Sequence, residues 1–172
     1  MQNGGNKAVV HRFWEELFNR GNLGVADEIL ADEHVVHFPS LQWDEAGSDA
    51  MKTLILLIRR LAPDIRATVE DSVAEGEKVV TSWKARGTIA DGMRGVDSGD
   101  DEVMVSGVTI HHVFGDQIRE TWWRFDVRIE DKSQRTIQEE NREFVRRDMP
   151  ESWPEDLFLG PICHIFLGCK RC

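Results

Sequence analysis

The hydrophobic pattern of the chain changes its period near Pro63, and this change constrains the fold more than any other feature. Before it, apolar residues recur at helical spacing in segments 6–20, 23–30 and 48–62. After it, apolar and polar residues alternate, as in strands, in segments 65–74, 77–89, 102–114 and 117–129. Helices followed by strands predict an α+β fold, in which a four-stranded antiparallel sheet covers three helices.

The helical segments carry start and stop signals. Asn6 is a candidate N-cap of the first helix and Gly21 a candidate stop, while Ser48 can cap the third helix, which ends before Pro63. Between the second and third helices, the stretch "EHVVHFP" at 33–39 predicts a short strand.

The connections between the later strands differ in length. "EGEK" and "FGDQ" predict tight turns, and the Gly- and Asp-rich segment 91–101 predicts a longer loop. Within 102–114 the apolar phase slips at Ser106 and Gly107, which predicts a bulge that bends the strand and curls the sheet.

The domain predicted from these elements spans residues 1–129. For residues 130–172 the pattern predicts a charged helical stretch followed by a Pro-punctuated tail, which we expect to pack on the surface or on a second subunit. Three cysteines, Cys163, Cys169 and Cys172, lie in the tail with His164, but their spacing matches no common zinc pattern, so we predict no metal site.

Charge and hydropathy exclude several classes of partner. The 172-residue chain carries a formal net charge of −10, which repels nucleic acids and anionic lipid surfaces. No apolar run approaches the roughly 20 residues that span a bilayer, and "MQNGGNK" lacks the layout of a signal peptide. With cysteines confined to the last ten residues, we expect a soluble, cytoplasmic protein.

The last predicted strand carries two alternating sets of side chains, one of which must face the helices. One set combines an aromatic ring with ionisable groups, the mixture that a small-molecule site needs, and we expect it to face inward. Its members are Ile118, Glu120, Trp122, Arg124 and Asp126, whereas Arg119, Thr121, Trp123, Phe125 and Val127 form the other set. From the residues alone, the favoured interpretation of Asp126 is a buried partner of Arg124 or Arg128 that only orders the end of the strand.

Three stretches of the chain resemble a known family: "NKAVVHRFWEELFNRGNLGVADEILADEHVVH", "PDIRATVEDSVAEGEKVVTSWKARGT" and "VSGVTIHHVFGDQIRETWWRFD". They are similar to the SnoaL-like polyketide cyclases of the nuclear transport factor 2-like superfamily, over roughly residues 5–128. The resemblance implies a cone in which a curved antiparallel sheet wraps over three helices. It also implies a homodimer through the outer face of the sheet, since Trp123 and Phe125 would otherwise be exposed there.

The resemblance implies ring closure by intramolecular aldol condensation without a cofactor. The position that matches the family's acid/base is Asp126 in "WWRFD", and the assisting histidine best matches His112 in "IHHV". His111 and His112 are adjacent and face opposite ways, so which of them faces the pocket stays open at this point.

A pocket for a hydrophobic or aromatic small molecule would be lined by aromatic and basic side chains. The predicted substrate-binding residues are Trp14, Phe18, His37, Trp83, Arg86, Trp122 and Arg124. The tryptophans among them are more often core residues than ligand contacts. His37 in "VVHFP" can instead cap its strand.

The chain departs from the family at two places that bear on mechanism. It has no tyrosine, and Trp14 stands where many relatives place one, which disfavours a steroid-isomerase mechanism. Trp123 stands where the family's last strand has an acidic residue after its tryptophan. Two alternative functions stay open: an epoxide-opening enzyme that pairs the carboxylate with Arg124 or Arg86, and a non-catalytic binding or assembly module that interacts through its tail.

Overall fold

The computed structural model describes residues 2–39, 43–90 and 101–130. Three helices precede most of the sheet: α1 (Gln2–Arg12), which continues as a π-helical segment (Phe13–Asn19), α2 (Gly24–Ile29) and α3 (Ser48–Leu61). The strands are β1 (Leu30–Phe38), β2 (Trp43–Ala46), β3 (Arg66–Glu75), β4 (Lys78–Thr88), β5 (Glu102–Phe114) and β6 (Gln117–Glu130). The predicted α+β class and the predicted order of elements are confirmed.

The strands form one curved, six-stranded sheet in the order β2-β1-β6-β5-β4-β3. The predicted antiparallel meander corresponds to β3 to β6. It is extended by β1, which runs parallel to β6, and by β2, which pairs antiparallel with β1. Strand β2 was not predicted, because "WDEA" is short and does not alternate.

Two of the predicted helix signals have other roles. The first helix begins at Gln2, so Asn6 lies inside it, where its buried side-chain amide donates to the Gly76 carbonyl at 2.9 Å. Ser48 is the first residue of α3, and the residue before it, Gly47, provides no side-chain cap. Gly21 adopts a φ of 66° just after the π-helical segment, which confirms the predicted stop.

The predicted bulge at Ser106 and Gly107 is wrong. The pairing of β5 with β4 and β6 continues through both residues, and the register with β6 shifts instead between His112 and Val113. Val108 is apolar but lies on the outer face at 39% exposure, so the phase of the strand does not change. The inner face of β5 consists of Val103, Val105, Thr109, His111 and Val113.

The core lies between the helices and the inner face of the curved sheet. The π-helical segment contributes Phe13, Trp14, Leu17 and Phe18 to it, all of them buried. Its last residue is fixed to β3, because the Asn19 side chain accepts from Ala67 N at 2.7 Å and donates to Ala67 O at 3.0 Å. This helix is therefore held with its aromatic side chains against the sheet.

Predictions about segment 91–100 and about residues 131–172, including the tail and its cysteines, fall outside the described residues. Among the helices that are described, none has the length and apolar character needed to cross a membrane.

Candidate functional site

From Thr121 on, strand β6 buries the set of side chains that we expected to face outward, whereas before the register shift with β5 Ile118 is buried and Arg119 is exposed. Thr121 and Trp123 are buried, Trp122 is half-buried, and Arg124 and Asp126 are exposed. The predicted inward orientation of Asp126 is therefore wrong; it lies opposite Ser106 on the outer face. The physical reason is desolvation, since turning β6 over would bury a guanidinium and a carboxylate and expose an indole ring.

The neighbouring strand separates the two adjacent histidines in the same way. His111 is fully buried on the inner face, directly opposite Thr121. His112 is half-buried on the outer face, and its Nδ1 lies 3.0 Å from Glu120 Oε2. The histidine that faces the helices is thus His111, whereas His112, the position matched to the family's assisting histidine, lies on the outer face.

Three of the predicted substrate-binding residues meet inside the fold. The ring of Trp14 lies 5.4 Å from Phe18, 5.1 Å from Trp83 and 5.6 Å from Trp123, measured between centroids. Together with Phe13 and Phe38, which also contact Trp123, these residues are called the aromatic cluster below. Its rings come from the π-helical segment and from three strands.

The other predicted substrate-binding residues lie on the outer face. The rings of His37 and Trp122 stack there at 4.0 Å, and His37 Nδ1 lies 2.8 Å from Asp44 Oδ1. Arg86 and Arg124 are exposed. The structure therefore divides the predicted residues between two faces of one sheet.

A polar group next to the aromatic cluster was missed by sequence reasoning. The Thr121 hydroxyl oxygen lies 2.9 Å from His34 Nε2 and 3.3 Å from His111 Nδ1, and all three side chains are fully buried. His34 comes from β1, in the stretch between Leu30 and Val35 where the register with β6 shifts. The sequence contains one signal for His34: it alternates with apolar Val36 and Phe38, so these three side chains lie on the same face of β1. His37 lies on the opposite face.

Both buried histidines are held in the neutral form. Burial, followed by the charge of His37, lowers the pKa of His34 to about 4. Burial, followed by the charges of His34 and His112, lowers the pKa of His111 to about 3. Since desolvation penalises an imidazolium, each ring offers one N–H donor and one bare acceptor nitrogen at neutral pH.

Several buried polar atoms on the inner face have no hydrogen-bond partner among the described residues. They are Trp14 Nε1, His34 Nδ1, Thr81 Oγ1, His111 Nε2 and Trp123 Nε1. An unsatisfied buried group costs about 1–3 kcal/mol, so each of these atoms favours a polar partner, either an ordered water or a ligand. Indole N–H groups can only donate, so two of these atoms are suited to an oxygen acceptor.

Carboxylates are scarce on the inner face. Asp101 is the buried carboxylate of the described residues, and it directly precedes β5, whereas His111 lies near the other end of that strand. Asp126, the position that matches the family's acid/base, lies on the outer face, and Trp123, which stands where the family's last strand has an acidic residue after its tryptophan, is 3% exposed. No group of three potential metal-binding side chains occurs within the described ranges.

Solved structures with the same fold include several polyketide cyclase relatives. A candidate SnoaL-like polyketide cyclase from Jannaschia sp. CCS1 is 23% identical, with a TM-score of 0.64 over 72% of this chain and 87% of that one. IdmH, a candidate polyketide cyclase from Streptomyces antibioticus, is 25% identical, with a TM-score of 0.63 over 70% and 91%. An LEH-like epoxide hydrolase from M. tuberculosis is 16% identical, with a TM-score of 0.60 over 73% and 86%.

The sequence itself matches a family model over most of its length. The model is that of the SnoaL-like polyketide cyclase, and it matches residues 8–128. The comparison with curated proteins found no match. The matched region contains the aromatic cluster, both buried histidines and all the described helices and strands except the start of α1 and the end of β6. The chain therefore belongs to the SnoaL-like polyketide cyclase family.

Proposed function

We propose that the protein is a cofactor-independent cyclase, or a closely related lyase or isomerase, that acts on a hydrophobic, polyketide-like small molecule. The substrate binds on the inner side of the sheet, against the aromatic cluster. Ring closure is an intramolecular aldol condensation, in which an enolate carbon formed next to a carbonyl attacks a second carbonyl of the same molecule. The outer face, which carries Asp126, is not part of this site.

The unpartnered indole N–H groups of Trp14 and Trp123 are the observation that carries this proposal. The two rings lie 5.6 Å apart between centroids, inside the same cluster. A poly-β-carbonyl chain offers acceptor oxygens at regular intervals, and its enolate places negative charge on one of them. Donors that are already oriented in a water-poor site stabilise such a charge more strongly than water does.

Neutral His111 adds a third polar group to the same region. Its ring lies 4.8 Å from Phe13 and 6.4 Å from Trp14 between centroids. An imidazole that stays neutral can donate to a carbonyl oxygen or accept a proton from carbon without first losing a charge. The site thus favours an uncharged, acceptor-rich substrate with apolar surface.

The test is ring closure of linear β-polyketones and aryl β-polyketones, followed by mass spectrometry and NMR of the products. Trp14→Phe retains an aromatic ring and removes the N–H donor. We expect this variant to lose at least about tenfold in kcat/KM, because a donor to a developing oxyanion contributes about 10²–10³ in well-studied enzymes.

Trp122→Phe is the matched control, because it makes the same change on the outer face, and we expect it to retain the parental rate. Turnover that is equal in Trp14→Phe, Trp123→Phe and wild type would contradict a site at the aromatic cluster. Failure of the whole β-polyketone panel would contradict the reaction class.

Epoxide opening is a weaker candidate. It needs a carboxylate near the substrate, and the buried carboxylate of the described residues, Asp101, lies away from the histidines along β5. Small epoxides belong in the same assay panel, and hydrolysis of an epoxide without ring closure of a polyketone would favour this alternative. Binding of polyketones without turnover of either class would favour a non-catalytic module.

A homodimer through the outer face and a cytoplasmic location complete the proposal. Trp123 and Phe125 face inward, so their side chains no longer support the dimer. Exposed Val80 and Val108, at 38% and 39%, take their place as apolar positions on the outer face. Light scattering should give a dimer, and Val108→Lys should shift it towards monomer; a monomeric wild type would contradict this part.

A further inference from the structure

The hydroxyl of Thr121 has a single proton, yet two imidazole nitrogens lie within hydrogen-bond distance of its oxygen. His34 Nε2 is at 2.9 Å and His111 Nδ1 is at 3.3 Å. The hydroxyl can donate to one ring and accept from the other, so the two contacts are complementary. The remaining nitrogens, His34 Nδ1 and His111 Nε2, are buried and have no partner among the described residues.

We propose that His34, Thr121 and His111 form a neutral proton relay that serves as the acid/base of this enzyme. The inference rests on the proposed function, because it names the groups that move protons in that same site. When His34 donates from Nε2, Thr121 donates to His111 Nδ1, which leaves His34 Nδ1 bare and His111 Nε2 protonated. In the reverse arrangement, His34 Nδ1 is protonated and His111 Nε2 is bare.

One turnover of the relay converts a C–H group and a carbonyl into an enol. The bare nitrogen takes the proton from the carbon next to the carbonyl, and the electron pair of that C–H bond becomes the carbon–carbon double bond. The same ring releases its other proton to the Thr121 oxygen, and the hydroxyl proton passes to the second ring. That ring delivers its outer N–H proton to the carbonyl oxygen, so one proton enters and one leaves.

No charge accumulates on either ring during this transfer. The buried site requires both imidazoles to stay neutral. Full burial strongly disfavours an imidazolium at either histidine, as the lowered pKa values of both rings indicate. A single histidine that took up a substrate proton would have to carry that charge in an apolar surrounding. When the proton passes on through Thr121, neither ring becomes charged, but each ring ends with its proton on the other nitrogen. Proton transfer in the opposite direction returns both rings to their starting tautomers.

The position of the relay also accounts for the missing acid. Trp123 occupies the inward position next along the face from Thr121, and Asp126 lies on the outer face. The relay borders the aromatic cluster, with the His111 ring 4.8 Å from Phe13 between centroids. The same side chains that bind the substrate therefore adjoin the groups that move its proton.

The first test needs no substrate. Long-range proton–nitrogen NMR of the histidine rings reports which nitrogen of each ring is protonated. We expect His34 and His111 to be protonated at the same ring atom, both at Nε2 or both at Nδ1. Protonation at different atoms would overturn the relay, because Thr121 would then have two donors or two acceptors.

Thr121→Val should uncouple the two rings, so that at least one of them changes its tautomer or populates both. Thr109→Val is the matched control, since it also removes a fully buried hydroxyl from the inner face, one that accepts from Trp83 at 2.8 Å and hydrogen-bonds to neither histidine. We expect this control to keep the wild-type tautomers. Wild-type tautomers at both rings in Thr121→Val would overturn the coupling.

The second test measures proton transfer apart from ring closure. An aryl β-ketoester in heavy water exchanges its acidic C–H, and the enzyme-catalysed part of this exchange is followed by NMR. We expect Thr121→Val to lower it at least about tenfold and Thr121→Ser to restore it, because acid/base groups contribute about 10²–10⁴. Wild-type exchange in Thr121→Val, or no catalysed exchange in wild type, would overturn the relay.

The two proposals fail differently. Catalysed exchange that depends on Thr121, without ring closure of any polyketone, supports the relay and contradicts the cyclase reaction. Ring closure that is insensitive to Thr121→Val supports the cyclase and contradicts the relay.

Discussion

The two faces of the sheet use the same residue types for different purposes. His111 and His112 are consecutive, as are Trp122 and Trp123, and in each pair one member lies inside and one outside. Outside, His112 pairs with Glu120 and Trp122 stacks on His37, where water reaches the side chains. Inside, His111 and Trp123 are fully or almost fully buried, and each has a polar atom without a partner among the described residues.

This difference shows that residue type alone does not identify a site on a strand. An imidazole on the outer face is one more solvated polar group, whereas on the inner face desolvation keeps it neutral. In β6, the set of side chains with more charges is the one that the sequence favours as a site, but charged side chains on a strand are more often exposed to solvent. The predictions below test the contrast between the two faces.

The largest effect is expected from the two neighbouring tryptophans. Trp123→Ala removes a buried ring that contacts Trp14, Trp83 and Phe38, and should lower the free energy of unfolding by about 3–5 kcal/mol. Trp122→Ala removes a half-buried ring that stacks on His37, and should cost about 1 kcal/mol. Urea unfolding measures both, and equal losses would contradict the assignment of faces.

The next effect concerns turnover of a verified polyketone substrate. His111→Gln should lower kcat by about 100-fold or more, because glutamine cannot exchange a proton between two nitrogens. Asp126→Asn should keep the parental rate, since its carboxylate is exposed on the outer face. Loss of turnover in Asp126→Asn with the fold intact would instead support the role that the family resemblance implied.

A third effect is the dependence of stability on pH. The pKa values of His34 and His111 are lowered to about 4 and about 3 in the folded protein, against about 6.5 in the unfolded chain. Between these values the unfolded chain binds more protons, so stability is complete above about pH 6.5 and falls as the pH decreases towards 4. Each ring contributes up to about 1.4 kcal/mol per pH unit, so the expected slope near pH 5 is about 2–3 kcal/mol per pH unit.

Denaturant unfolding at a series of pH values measures this slope. A His34→Gln, His111→Gln double variant should flatten it, whereas Thr109→Val, a buried change without a titrating group, should leave it as in wild type. A slope that is unchanged in the double variant would show that the two rings are not the source of the dependence.

The smallest effect is expected at the outer pair of His112 and Glu120. Their side chains are 34% and 40% exposed, so water and salt screen the interaction. Glu120→Gln should change the free energy of unfolding by less than about 1 kcal/mol, and the change should shrink further at high salt. A loss of several kcal/mol would mean that the outer face is covered in solution.

The strands of the meander could be predicted from the sequence because their alternation and turns are local. Gly76 and Gly115 adopt positive φ in the two tight turns that "EGEK" and "FGDQ" predicted. Strand β2 and the parallel pairing of β1 with β6 could not be predicted, because they depend on partners far away in the chain. Nor does the alternation within a strand say which of its two sets faces the helices.

The same dependence on distant partners explains which residues of the site could be predicted and which could not. Trp14, Phe18 and Trp83 were found because large apolar rings at periodic positions are buried wherever the fold allows it. His34 and Thr121 were missed because they are separated by 87 positions, and neither carries a signal by itself. Their meeting depends on the register of three strands, β1, β6 and β5.

The pairing of β1 with β6 has a consequence for the order in which the protein assembles. The two strands are adjacent in the sheet, but most of the domain lies between them in the sequence. Contacts between residues so far apart in the chain form slowly. A nascent chain that ends before β6 contains every helix of the described residues and yet lacks Thr121 and Trp123. We therefore expect the interior site to be completed late in synthesis and folding, so that any molecule that binds there selects chains whose first and last long strands have already met.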